Sequence, residues 1–259
     1  MIFYFSGTGN TRYCAETLGK MLGDELVDVS VYIRQKKAGH FHSSRPWIFC
    51  SPIYIGYLPK IFAKFIRAST FEGDPRFYFI ITLGGNEKGG SIAPKLLPGL
   101  CRLKGKHYMG AGHITMPRNL ILFFNLQDEA EIQQQLQKAD SLLAQYGKLI
   151  QKEQTLPVFP VNTLEYIMIL PILNAYYKHF VRDEKFTVDE TCIGCGLCAR
   201  VCPLGNITME GRKPRWNGNC THCTACINRC PKAAIQYGRG TRKRGRYTLE
   251  KYRAAMKKS

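Results

Sequence analysis

The chain holds 259 residues, long for one small domain and comfortable for two. Hydrophobic residues make up 45% and aromatic residues 12% of it, which excludes a disordered chain and supports a packed core. The formal charge of +18 suits an anionic partner, but no base-reading motif accompanies it, so nucleic acid is set aside.

Ile2-Phe3-Tyr4-Phe5 is an apolar run that suits a buried parallel strand. Ser6-Gly7-Thr8-Gly9-Asn10-Thr11 follows, and then a helical pattern through Cys14, Leu18, Met21 and Leu22. A strand, a Gly/Ser/Thr loop and a helix together cradle a phosphate. Gly7 and Gly9 let the backbone turn and expose N–H donors. Ser6, Thr8 and Thr11 add hydroxyls, and the helix N-terminus adds its dipole. The loop has no lysine, and neither G-x4-G-K-S/T nor G-x-G-x-x-G is present, since the residue three after Gly9 is Arg12. A terminal monophosphate is the expected ligand, rather than a triphosphate or a dinucleotide bridge.

The βα alternation continues. Residues 25–30, 47–50, 77–83 and 107–115 read as further strands. Residues 60–68, 92–103 and 127–151 read as helices, the second interrupted near Pro94 and Pro98. Such alternation implies a parallel sheet covered on both faces, with ligands at the carboxyl ends of its strands. The loops 6–11, 51–59 and 84–90 all follow strands, so all three are expected around one ligand. Cys14, Cys50 and Cys101 sit in apolar patterns and read as buried small hydrophobes.

On these residues the N-terminal part resembles the flavodoxins, whose phosphate loop reads S/T-x-T-G-N-T and holds FMN. The resemblance implies a flavodoxin-like α/β domain over residues 1–152, a five-stranded parallel sheet with helices on both faces. It implies that Ser6, Gly7, Thr8, Gly9, Asn10 and Thr11 bind the FMN phosphate. Ser51, Pro52, Ile53, Tyr54, Ile55 and Gly56, with Leu83, Gly84 and Gly85, would line the isoalloxazine ring. Tyr54 is the first candidate for an aromatic lid and Tyr57 the second; surface packing is the alternative for both. The loop 116–125 carries Met116, Pro117, Leu120, Ile121, Leu122, Phe123 and Phe124. It shields the flavin edge, admits an apolar substrate or packs locally.

Residues 153–184 connect the two halves, with a Pro-flanked extended piece at 156–160. Residues 164–180 are rich in Ile, Leu, Met and Tyr, but the uncharged run from Tyr166 to Tyr177 is 12 residues with Pro171 inside. That is too short to span a membrane. Packing between the domains is the plain reading, a homodimer or membrane-surface contact the sharper one.

Eight further cysteines fall in two runs: Cys192, Cys195, Cys198 and Cys202 before Pro203, and Cys220, Cys223, Cys226 and Cys230 before Pro231. Both read C-x2-C-x2-C-x3-C-P, the spacing that holds [4Fe–4S] clusters, with the fourth Cys of each run ligating the other cluster. One cluster would take Cys192, Cys195, Cys198 and Cys230, the other Cys220, Cys223, Cys226 and Cys202. Zinc would leave ligands over, and disulfides would need an oxidising compartment. The runs repeat at an offset of 28 residues, which implies a pseudo-twofold pair. They match two-cluster bacterial ferredoxins, implying a small α+β domain over 185–238. The whole is similar to a flavodoxin–ferredoxin fusion family of anaerobic bacteria, but basic where free flavodoxins and ferredoxins are acidic.

Residues 239–259 read as a basic tail, with nine Lys/Arg against Glu250 alone. Steering an acidic redox protein such as a ferredoxin is the expected use. No signal peptide is read before Met1, and thiolate clusters suit a reducing compartment, so the cytoplasm is expected. The expected activity is electron transfer between FMN and two [4Fe–4S] clusters, as a mediator between protein partners. The alternative is an FMN-dependent reductase of a quinone, tetrapyrrole, enone or nitro compound. His107, Tyr108, His113 and Arg118 lie on or after the last strand, but no catalytic acid and no substrate are legible. An oxidoreductase is expected, and whether it has a small-molecule substrate stays open.

Overall fold

The computed structural model describes residues 1–85, 92–157 and 163–256, without the side chains of 163, 165–167, 255 and 256. Over the first domain β1 (Ile2–Tyr4), α1 (Asn10–Leu22), β2 (Leu26–Asp28), α2 (Val29–Gln35), β3 (His40–Ser43) and β4 (Trp47–Pro52) follow one another. Then come α3 (Lys60–Ala68), β5 (Thr70–Gly73), β6 (Arg76–Leu83), α4 (Ala93–Leu103), β7 (His107–Thr115) and α5 (Glu129–Gln151). Five of these strands form one parallel sheet in the order β2-β1-β4-β6-β7. This is the flavodoxin-like order, whose switch point lies between β1 and β4.

Alternation along the strands sorts the side chains by face. Ile2, Ile48, Cys50 and Ile80 join Cys14 and Leu18 of α1 and Leu136 and Leu143 of α5. Phe3, Phe49, Phe77 and Phe79 point the other way and pack with Phe62 of α3 and Leu97 of α4. Phe49 stacks on Phe79 with ring centroids 5.4 Å apart. Cys14, Cys50 and Cys101 are all buried in these two layers, where burial pushes Cys14 and Cys101 up to about 12.

Three local differences have simple causes. The strand expected over 25–30 stops at Asp28, because the Asp28 carboxylate accepts the Ser30 N–H at 2.9 Å and caps α2. β3 and β5 form a separate parallel ribbon outside the five expected strands, each burying one phenylalanine, Phe41 and Phe71. α4 is not interrupted: Pro94 sits in its first turn, where no donor is missed, and the helix continues through Pro98.

The connecting segment contains α6 (Thr163–Phe180). Tyr57 Oη donates to Leu170 O at 3.3 Å, and Lys60 Nζ sits 4.4 Å over the Tyr177 ring, so α6 lies across the 51–59 loop and α3. Its other side exposes Leu164, Met168 and Ile172. Among the described residues no helix is long and apolar enough to cross a membrane.

The second domain comprises β8 (Phe186–Val188), α7 (Leu197–Arg200), β9 (Ile207–Glu210), β10 (Lys213–Trp216), α8 (Ala225–Arg229) and β11 (Ile235–Tyr237). β8 pairs antiparallel with β11, and β9 with β10. A 3-10 turn (Gly240–Lys243) and α9 (Leu249–Met256) end the described chain.

The basic tail expected over 239–259 is not a free arm: its described residues, 239–256, fold back onto the first domain. Tyr247, Leu249 and Tyr252 are buried in the α1/α5 layer of the first domain. Arg253 pairs with Asp140 and lies 4.1 Å over the Tyr13 ring, and Arg244 Nη1 donates to Ile121 O and Leu122 O at 2.8 and 2.7 Å. Arg246 is likewise turned inward, onto Ile235 O at 3.1 Å. The counted charges concealed aromatic residues that carry enough apolar area to fold the segment back.

Candidate functional site

At the β1/β4 switch point the loop 6–11 turns from β1 into α1. Gly9 has φ of 105°, and its N–H donates to Ser6 Oγ at 3.2 Å. The first N–H groups of α1 have no carbonyl within the helix, as at any helix start. Thr11 Oγ1 lies 2.7 Å from Thr82 Oγ1, at the end of β6. Thr8 Oγ1 accepts Asn119 Nδ2 at 2.7 Å. Asn10 donates to Pro117 O at 3.0 Å and accepts Tyr247 Oη at 2.7 Å, so its amide holds the loop's neighbours.

This loop borders a partly open cavity of about 270 Å³. Ser6, Gly7, Thr8, Asn10 and Thr11 line it, as do Pro52, Ile53, Tyr54 and Ile55 after β4, and Leu83 and Gly84 after β6. Ile55 has φ of 53°, so a β-branched residue is held in left-handed backbone at this wall. Gly9, Ser51, Gly56 and Gly85 do not line it: Ser51 is fully buried, its Oγ on Pro52 O at 3.0 Å. Residues 86–90 of the third loop lie outside the described residues. Tyr54 is the aromatic residue at this wall, whereas Tyr57 is turned to α6. Burial pushes the Tyr54 phenol well up, so it stays neutral.

The eight cysteines divide across the runs. Cys192, Cys195, Cys198 and Cys230 line one small cavity, and Cys202, Cys220, Cys223 and Cys226 line a second of equal size. Among the described residues no three ligand side chains converge as for a single metal ion; each set of four surrounds a space instead. A cubane has four iron corners to be met from outside, so this donor set fits it. The backbone N–H groups of Asn206 and His222 donate to Cys202 Sγ and Cys220 Sγ, both at 3.3 Å. Burial pushes the Cys220 thiol up to about 12 and raises those of Cys223 and Cys226 as well.

The two sites meet. Thr221 and His222, between Cys220 and Cys223, line the same large cavity as the phosphate loop. A Cβ on Gly7 would lie 2.5 Å from Cys223 O, so the two loops are in backbone contact and only glycine fits. Asn119 ties them: its O accepts Thr224 Oγ1 at 3.1 Å and Asn228 Nδ2 at 3.0 Å, while its amide reaches Thr8. Arg229 Nε donates to Gly7 O at 3.2 Å. In the apolar loop 116–125, Ile121 and Leu122 are buried in the second domain's core, which settles those two as interdomain packing. Phe123 and Phe124 stay at the cavity edge.

Of the four polar residues considered near the last strand, Arg118 alone reaches the cavity. His113 is buried and lowered to about 4, mainly by desolvation, so it is neutral. His107 is exposed, and Tyr108 is raised by burial. Thr82, Asn119, Tyr176, Thr221 and His222 were not signalled by any local motif. The equal spacing of the repeat does set His222 and Thr224 opposite Gly194 and Gly196, a visible anomaly.

A flavin-type phosphate loop and a four-plus-four cysteine set sharing one wall define an iron–sulfur flavoprotein of electron transport. Residues 1–118 match the family described as Flavodoxin domain, and residues 191–234 the 4Fe-4S dicluster domain. The chain is thus a flavodoxin–ferredoxin fusion. An uncharacterized ferredoxin of Methanocaldococcus jannaschii is 38% identical over 52 residues, 18% of this chain and 29% of that one. A component of an ion-translocating oxidoreductase complex of Methanosarcina acetivorans is 38% identical over 56 residues, 21% of each chain. An iron-sulfur protein of Rhodospirillum rubrum is 28% identical over 92 residues, 28% of this chain and 44% of that one. The matches span less than half the length of these relatives. Among solved structures, the trp repressor binding protein from Bacillus subtilis aligns with a TM-score of 0.33 and 17% identity, over 55% of this chain and 97% of that one.

Proposed function

We propose that the chain is an electron mediator in which FMN occupies the cavity between the domains and two [4Fe–4S] clusters form a relay beside it. The observation that carries this reading is the shared wall: the phosphate loop, Tyr54 and the Thr221-His222 peptide line one cavity. Bound FMN supplies exchange between paired and single electrons, and the clusters supply single-electron transfer. Ser6, Thr11 and the open N–H groups of the loop would hold the phosphate. Tyr54, Ile53 and Phe123 would pack on the ring and exclude water, with Thr221 and His222 setting its approach to the cluster loop. Cys220, Cys223, Cys226 and Cys202 would hold the cluster next to the flavin, and Cys192, Cys195, Cys198 and Cys230 the outer one. The N–H donors on Cys202 and Cys220 would raise the potential of the inner cluster. Its protein partner would be acidic, given the formal charge of +18.

Anaerobic reconstitution tests the reading. About eight iron and one FMN per chain are expected, with flavin bleaching at a rate independent of protein concentration once the clusters are reduced. A colourless, zinc-loaded chain, or bleaching that scales with concentration, would sink it.

One observation favours a second reading, a small-molecule reductase. Phe123 and Phe124 border the cavity yet are 42% and 50% exposed, which leaves an apolar entrance. Multiple turnovers of a quinone or nitro compound by the reduced chain, faster than transfer to an acidic redox protein, would select it.

A further inference from the structure

Each position of one cluster loop has a counterpart 28 residues on in the other. In the second loop, Thr221 and His222 face the flavin cavity. Their counterparts in the first loop are Ile193 and Gly194. Ile193 is 47% exposed, and Cys195 is the exposed member among the eight cluster cysteines. The face that one half-module turns to the flavin domain, the other turns to solvent. Electron transfer weakens steeply with distance, so an outside redox centre approaches the outer cluster best over this loop.

The surroundings of Ile193 are cationic. Arg212 Nη2 donates to Ile193 O at 3.2 Å, and Arg200 Nη1 to Cys195 O at 2.9 Å. Arg34 reaches across from the end of α2 to Arg200 O at 3.0 Å. Lys232 is exposed just after the ligand Cys230 and Pro231. Of the acids around this loop, Glu190 pairs with Lys213 and Glu210 with Arg215, at 3.1 and 2.6 Å, and Asp189 accepts the Thr191 N–H at 3.0 Å. An apolar centre in a cationic rim is how a docking patch meets an acidic partner.

We infer that residues 192–195 form the electron port of the chain, and that an acidic electron-transfer protein docks there with Ile193 at the centre of the contact. The inference rests on the relay reading. It moves the expected steering from the C-terminal segment, several of whose arginines are turned inward, to the mouth of the outer cluster.

The test uses the full chain loaded with both cofactors, anaerobically. An acidic two-cluster ferredoxin is the probe, and reduced methyl viologen serves as a small reductant that needs no docking. Ile193→Asp and Lys232→Glu are compared with the natural chain and with Lys64→Glu on α3. The second-order rate with ferredoxin is expected to fall with rising salt and to drop about tenfold in each port variant. Lys64→Glu keeps its rate, and viologen reduces all four chains alike. A salt-independent rate, full-rate port variants, or an equal loss in Lys64→Glu overturns the inference. Should viologen also slow in a port variant, calorimetric titration with oxidised ferredoxin decides: lost affinity upholds the port, unchanged affinity overturns it. Failure of the relay reading shows separately, as flavin that stays oxidised in the viologen-reduced natural chain.

Discussion

The two cluster half-modules share one backbone and live in different surroundings. Gly194 and His222 have φ of 69° and 54°, Gly196 and Thr224 have 68° and 59°, and Gly205 and Ala233 have 63° and 49°. Left-handed backbone favours glycine, and a side chain held there costs about 1 kcal/mol. The outer copy uses glycine at all three positions. The inner copy accepts the strain, and two of its three side chains are engaged: Thr224 Oγ1 reaches Asn119 O, and His222 lines the cavity with Nε2 2.6 Å from Arg182 O. The comparison teaches that a half-module able to hold a cluster on glycines alone was fitted, in one copy, to the wall of the flavin cavity.

The largest effect expected comes from cutting one copy at a time. Cys202 sits with the inner set and Cys230 with the outer. Cys202→Ser and Cys230→Ser should each lower iron from about eight to about four per chain. The remaining cluster differs: Cys202→Ser keeps the outer one and disconnects it from the flavin, while Cys230→Ser keeps the one beside it. Electron paramagnetic resonance with flavin bleaching reads the difference, and a reversed pattern would break the assignment of inner and outer copies.

Contacts that the phosphate loop makes with the C-terminal half come next. Gly7→Ala drives a methyl group against the Cys223 carbonyl and is expected to cost about 1–3 kcal/mol in chemical denaturation. Tyr247→Phe removes the hydroxyl on Asn10, a loss of about 1 kcal/mol. Gly99→Ala, in α4 with open space around its Cβ, is the control and should gain up to about 1 kcal/mol. Equal behaviour of Gly7→Ala and Gly99→Ala would remove the claim that the phosphate loop and the cluster loop are in contact.

What the sequence made legible follows the range of each signal. The phosphate loop is six consecutive residues and the cysteine runs are two short strings, so their chemistry is local and readable. The parallel sheet was readable because its strands, buried on both faces, are continuous apolar runs such as Phe77–Ile81 read against the turns around them. The cavity wall was not, because Tyr176, Asn119 and His222 reach it from three separate parts of the chain, and no local pattern joins them. The C-terminal segment misled for a different reason. Its charges dominate the composition, whereas Tyr247, Leu249 and Tyr252, which decide where it goes, are three residues among them.

The smallest expected effects test the comparison most directly, because they carry opposite signs on one backbone. Ala233 bears only a methyl group at its left-handed position, so Ala233→Gly removes strain and should raise stability by up to about 1 kcal/mol. Gly205→Ala makes the reverse exchange in the outer copy, where a Cβ would meet nothing nearer than Arg34 Cγ at 3.7 Å, and should lose about as much. His222→Gly relieves the same strain but gives up the bond to Arg182 O and the ring contact with Tyr237 at 5.2 Å, so a net loss of about 1–2 kcal/mol is expected. If His222→Gly instead stabilises the chain as Ala233→Gly does, the imidazole is merely tolerated, and the inner loop was not shaped by what it faces. If it destabilises, the strained residue is retained because its contacts outweigh the backbone cost, and the asymmetry between the two copies records where the flavin domain docks.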